Sequence, residues 1–151
     1  MPTKAPTPRQ LQDLQGCVCL ALRRAARVVT QRYDAALRPF GVRATQIPIL
    51  TAAVAGERVP LAALAETLGM DRTTLLRNVR PLVRGGLIEV RQEAGSRRAE
   101  IRPTAKGRER LARVYPVWRG VQERVKSDLP DPAFGRALHG LGESMRRRGA
   151  D

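Results

Sequence analysis

One stretch constrains this chain more than any other: "LAALAETLGMDRTTLLRNVRPLVRGG", residues 61–86. Leu61, Leu64, Ala65 and Leu68 recur at helical spacing and make one apolar stripe. Gly69 suits the left-handed position that ends a helix, and Asp71 caps the next one. Met70 before that cap and Leu75 four residues inside it fit a hydrophobic staple. Leu75, Val79 and Leu82 or Val83 continue the buried stripe, so two helices must meet at a tight corner. The second helix is polar at its front, with Arg72, Thr73, Thr74, Arg77 and Asn78, and Pro81 interrupts it further on. An interior proline removes the bond its N–H would give the carbonyl four residues back, at roughly 3 kcal/mol. The spacing predicts a bend behind the polar front, or a helix tilted by the break.

After Gly86 the period changes. Residues 87–91 and 99–102 read as two short strands with a turn around residues 95–96, and the hairpin tip carries Arg97 and Arg98. A helix, a tight corner, a capped helix and a basic hairpin form a winged helix-turn-helix. In that arrangement the front of the second helix meets base edges in the major groove. Arginine at Arg72 or Arg77 can grip guanine, and Asn78 can grip adenine. The hydroxyls of Thr73 and Thr74 suit phosphates, and Arg97 and Arg98 suit the minor groove or the backbone beside it. The charge agrees with a polyanionic partner. The formal net charge is +14, and residues 71–113 hold 12 Lys and Arg against 5 acids, half of that surplus. Aromatics are only 3%, which argues against recognition by base stacking.

The flanks read as helical. Residues 1–9, with three prolines, read as a mobile arm, and residues 10–39 as one long helix stopped by Pro39 and Gly41. Residues 45–57 read as a shorter helix with Thr45 as cap and Gly56 as stop. Thr104 caps a helix over residues 104–129 that Pro116 should kink, and Asp131 caps a last helix with Phe134, Leu138 and Leu141 on one face. The chain thus divides into an arm (1–9), an N-terminal dimerisation helix (10–40), a winged helix-turn-helix (41–103) and C-terminal dimerisation helices (104–151). The fold class is mainly α with a small two- to three-stranded β-wing. Three helices at the chain ends cannot easily cover each other and the winged region, so an exposed apolar stripe finds a partner chain.

These residues resemble the MarR family of bacterial transcription regulators over nearly the whole chain. The resemblance rests on "GVRATQIPILTAAV", "LAALAETLGMDRTTLLRNVRPLVRGGLIEV" and "GSRRAEIRPTAKG", in that order. Arg97, Thr104 and Gly107 match the family's wing arginine and the threonine and glycine that follow. Gly95 and Pro103 stand where an aspartate and a leucine are usual. The resemblance implies a homodimer whose terminal helices interlock, leaving two winged heads to read a pseudo-palindromic operator in double-stranded DNA. It implies a repressor, released when a small-molecule effector or an oxidant changes the spacing of the heads. It places an effector pocket between dimer helices and winged region, lined by "PILTAAV" and the face around Tyr33.

"GCVCLALRRAAR" resembles the start of the family's organic-hydroperoxide-sensing branch, with the reactive cysteine at Cys19. Tyr33 falls at one supporting tyrosine position of that branch; Arg23 and Ala44 occupy the other two. On one continuous helix Cys17 and Cys19 would point about 200° apart and could neither pair nor share a metal within a chain. Arg23 and Arg24, one turn on, favour a thiolate. Three readings stay open: packing as small hydrophobes, thiol sensing, and a metal site shared between subunits. With one histidine, His139, and no phosphate-cradling loop, the sequence points to no enzyme and no cofactor. A competing reading is a winged module for protein or RNA, in which Arg77 confers no base preference. No apolar run approaches the ~18 residues of a membrane span, and the N-terminus has no secretion signal; with two closely spaced cysteines the expected place is a reducing cytoplasm.

Overall fold

Local capping decides where the first helices begin. The computed structural model describes residues 5–92 and 98–148, without the side chains of residues 132, 139, 143 and 145–148. The Thr7 hydroxyl accepts from the Gln10 N–H, and the Gln10 side chain accepts from the Thr7 N–H at 2.8 Å. This capping box starts α1 (Pro8–Gln15) inside the segment read from sequence as an arm. The single long helix over residues 10–39 is also corrected. Gly16 ends α1, its N–H donating to the Gln12 carbonyl and the Cys17 N–H to the Leu14 carbonyl, and Cys17 (φ −58°, ψ 120°) is the non-helical residue before α2 (Val18–Leu37). Glycine costs about 1 kcal/mol inside a helix, so the break falls there.

Two 3-10 turns, Arg38–Phe40 and Ala44–Gln46, lead into α3 (Ile47–Gly56). Thr45 therefore lies within the second turn rather than capping α3, and Glu57, not Gly56, takes the positive φ that ends the helix. Then follow β1 (Val59–Pro60), α4 (Leu61–Leu68), α5 (Arg72–Arg84), β2 (Ile88–Gln92) and β3 (Ala99–Pro103). The sheet is antiparallel in the order β1-β3-β2, with Ile101 opposite both Val59 and Val90. Pro60 is tolerated because β1 is an edge strand. The long α6 (Ala105–Ser127) and α7 (Pro132–Arg148) complete the chain. Both interior prolines are carried within their helices: α5 runs on past Pro81 to Arg84, and α6 passes Pro116.

The core gathers where these pieces meet. Leu37, Ile49, Leu50, Leu75, Leu82, Ile88, Ile101 and Val114 are fully buried, and together they join α2, α3, α5, α6 and the sheet. Thr104 fixes the wing to α6: its hydroxyl donates to the Gly86 carbonyl at 2.7 Å and accepts the Gly107 N–H at 3.0 Å. Gly107 must be glycine, since a Cβ there would lie 2.0 Å from the Leu87 carbonyl oxygen. No helix among the described residues is long and apolar enough to cross a membrane.

Candidate nucleic-acid interface

The corner before α5 is built from backbone and carboxylate bonds. Gly69 adopts φ 61°, ψ 33°, so that its N–H donates to the Glu66 carbonyl and the Met70 N–H to the Ala65 carbonyl, which turns the chain toward α5. Asp71 then caps α5: Oδ1 accepts the Thr74 N–H at 2.8 Å, and Oδ2 accepts the Thr74 hydroxyl at 2.7 Å. These bonds, the hydroxyl's first, hold the Asp71 carboxyl below its ordinary value. Thr74 is therefore committed to the cap, and neither its hydroxyl nor its N–H points to a phosphate as sequence reading had it.

Beyond the cap, Arg72, Thr73 and Arg77 are exposed along the front of α5. Arg72, Arg77, Arg80 and Arg84 form no ion pair among the described residues, so the helix presents its full positive charge. The wing differs. Arg91 pairs with Glu89 at 2.7 Å and Arg102 with Glu100 at 2.5 Å, while Arg108 pairs with Glu57. Arg102 first, then Arg58, keeps the Glu100 carboxyl below its usual range. Glu89 and Glu100, two of the acids already set against the cations of residues 71–113, thus pair with wing arginines rather than with those of α5, and Glu57 from outside that stretch neutralises one more cation, Arg108.

Asn78 is placed otherwise than sequence suggested. Its Nδ2 donates to the Thr74 carbonyl at 2.9 Å, and its Oδ1 accepts the Thr45 hydroxyl at 2.7 Å. Arg98 is exposed at the foot of β3 and lines, with Arg72 and Glu66, a cleft of about 490 Å³ floored by Leu61, Leu75 and Leu76. Arg97 and the turn at residues 95–96 lie outside the described residues.

A larger cleft, of about 1040 Å³, opens on the other flank of α5. Arg38, Arg43, Arg77 and Arg84 line it, with Asp34 as its acid, and Asp34 Oδ1 accepts the Ala44 N–H at 2.7 Å. Sequence reading missed Arg38 and Arg43, because a charge count over residues 71–113 does not reach them. It also set the pocket walls differently. Ile49 and Leu50 of "PILTAAV" are fully buried in the core and do not line this cleft.

A family model described as a helix-turn-helix domain matches residues 45–91. No curated protein sequence matches the chain. Among solved structures, the M. tuberculosis transcriptional regulator MosR in complex with DNA is 39% identical, with a TM-score of 0.77 over 87% of this chain and 97% of that one. A MarR-family regulator from Rhodococcus sp. RHA1 shares the fold at 24% identity and a TM-score of 0.68, over 87% of this chain and 91% of that one. The chain belongs to the MarR family. CouR from Rhodococcus jostii RHA1, bound to p-coumaroyl-CoA, has the same fold at 23% identity and a TM-score of 0.69, over 85% of this chain and 91% of that one. This MarR-family protein is a DNA-binding transcriptional regulator rather than an enzyme.

The thiol group of residues looks different in this MarR-family chain than its sequence implied. Cys17 and Cys19 are both exposed, so within one chain neither packs as a small hydrophobe. Cys17 caps α2 instead of lying inside it, so the 200° argument does not apply to the pair. Tyr33 is buried; its hydroxyl donates to Gln122 Oε1 on α6, and burial raises its pKa. Tyr33 also lies 14 residues along α2 from Cys19, about 21 Å at helical rise. One chain therefore does not assemble Cys19, Cys17 and Tyr33 into a site. Among the described residues no three of histidine, cysteine, aspartate and glutamate are grouped to hold a metal ion.

Proposed function

We propose that this regulator binds a pseudo-palindromic operator as a homodimer and represses transcription until an effector releases it. The front of α5 carries this reading: Arg72, Thr73 and Arg77 stand exposed and free of ion pairs behind a rigid cap. Arg72 and Arg77 read bases, Thr73 meets a phosphate, and Arg97 and Arg98 hold the groove beside the wing. Homodimerisation is supported by the apolar side chains that α1, α2 and α7 leave exposed, among them Leu14, Val18, Leu20 and Phe134. A chromosomal target places the protein in the cytoplasm.

The cleft lined by four arginines supports an anionic small molecule as effector. Occupying it would engage Arg77 and so compete with DNA. The exposure of Cys19 supports a second reading, release by an oxidant acting on its thiol. A gel-shift titration on the gene's own upstream DNA, with nonspecific competitor, tests both. Tight binding that falls steeply with salt is expected. Loss of binding on adding an organic hydroperoxide, resisted by Cys19→Ser, would select the oxidant; indifference to hydroperoxide would select the cleft. Equal affinity for operator and competitor would reject sequence-specific regulation and leave the protein- or RNA-binding module.

A further inference from the structure

We infer that Asn78 is a positioning residue rather than a base reader, and that with Thr45 it latches α5 to the 3-10 turn at residues 44–46. This deepens the DNA-reading role proposed above and rests on it.

The hydrogen bonds leave little choice of roles. The Thr74 carbonyl can only accept, so the nitrogen of the Asn78 amide must face it, 2.9 Å away. The amide oxygen then faces Thr45, and the 2.7 Å contact is donated by the Thr45 hydroxyl. An asparagine that grips adenine needs its oxygen and its nitrogen together. Both are engaged inside the protein here, and Asn78 is half-buried while Arg72, Thr73 and Arg77 beside it are exposed.

A second observation explains why a tie is needed at this turn. Pro81 has no N–H, so the Arg77 carbonyl lacks its helical partner. The ladder of α5 is one bond short beside Asn78, between the part that would read DNA and the part packed in the core. A side-chain bond to a separate element holds the helix direction where its own backbone holds it least. The anchor is itself fixed. Ala44 N–H donates to Asp34 of α2, and Gln46 Oε1 accepts the Arg43 N–H at 2.9 Å. The connection runs from α2 through Asp34, the turn, Thr45 and Asn78 to Thr74, whose hydroxyl closes on the Asp71 cap. The helix with exposed apolar residues at its start thereby touches the cap of the reading helix.

The test compares Asn78→Ala, Thr45→Val, the double variant and Thr45→Ser. Dissociation constants are measured on a selected operator and on its single-base variants, beside thermal midpoints and amide hydrogen exchange without DNA. Each single loss should weaken operator binding about three- to tenfold. The loss should be the same across all single-base variants, with midpoints nearly unmoved. The double variant should lose no more than Asn78→Ala alone, and Thr45→Ser should bind as the unaltered protein does. Exchange over residues 72–77 should quicken in both single variants. Loss of discrimination at one A·T position in Asn78→Ala would overturn the inference, as would additive losses in the double variant or unchanged exchange. If the unaltered protein prefers no duplex, the DNA-reading proposal fails, and the exchange data still decide whether the latch exists.

Discussion

Ile101, at the centre of the three-stranded sheet, has no exposed surface, whereas Val18, at the start of α2, leaves 67% of its surface to solvent. Both are β-branched and apolar, so the difference lies in their surroundings. Around Ile101, strands flank it on both sides and α3, α4 and α6 pack against β3. Around Val18, α1 has no buried residue and α2 buries only Tyr33 and Leu37, toward its far end. The middle of the chain buries most of its apolar side chains; the flanking helices leave Leu11, Leu14, Leu20, Tyr115 and Leu138 between 41% and 66% exposed. A region that buries its own apolar side chains and a region that leaves many of them exposed are thus joined in one molecule, which is what the proposed homodimer would use. Under the proposed dimer, rigid heads would be carried on helices whose pairing sets their spacing.

The largest effects should fall on the self-contained half. Ile101→Ala or Leu50→Ala empties a fully buried site and should cost about 2–5 kcal/mol of unfolding free energy. Gly107→Ala drives a methyl against the Leu87 carbonyl and should cost about 1–3 kcal/mol or more. Denaturant titration checks both. Leu14→Ala, measured the same way at concentrations too low for association, should change stability by less than about 0.5 kcal/mol; a loss comparable to Ile101→Ala would erase the distinction between the two regions.

Charge at the chain ends should act on association instead. Leu14→Glu with Val18→Glu should give folded single chains in sedimentation velocity, with unchanged helix content and much weaker operator binding. At the front of α5, Arg72→Ala or Arg77→Ala should cost about 1–3 kcal/mol of discrimination at one base pair. Arg84→Ala should weaken all sequences alike and reduce the salt slope by about 1. Quantitative titrations on operator variants at several salt concentrations separate the two.

The smallest effect is that of acid, and it too should divide the regions. The carboxyls of Asp71, Glu57 and Glu100 titrate below their ordinary values of 3.8, 4.5 and 4.5, through Thr74, Arg108 and Arg102 respectively. Groups with depressed folded-state pKa values stabilise fully above the ordinary value and lose that contribution as pH falls through the lower one. The thermal midpoint should therefore be flat from pH 7 to about 5 and decline below about 4.5, and Asp71→Asn should flatten part of the decline. All three lie in the winged region, so a dimer interface that loosens before this decline would point to titrating groups elsewhere.

The corner at Gly69 and Asp71 was legible because caps are local: a left-handed glycine and a short acid two residues later specify it without knowledge of the rest. The exposure of Arg72, Thr73 and Arg77 followed from helical spacing alone. What escaped depends on distant or very short features. β1 has two residues, too few for any alternation, and its partner is β3, some 40 residues on. The break at Gly16 and Cys17 was hidden because apolar spacing continues across it. Thr74 and Asn78 were read outward because a polar residue on a helix can bond a ligand or its own backbone, and sequence does not say which. For Asn78 the answer lay in Thr45, 33 residues away, and for Tyr33 in Gln122, 89 residues away.

The most direct test is the number of chains bound to one duplex, counted by light scattering on the best site from a random library. Two chains per duplex, on half-sites related by a dyad, with Leu14→Glu and Val18→Glu abolishing that stoichiometry, is the predicted result. One chain per duplex with an undiminished affinity, or no enriched site at all, would contradict it.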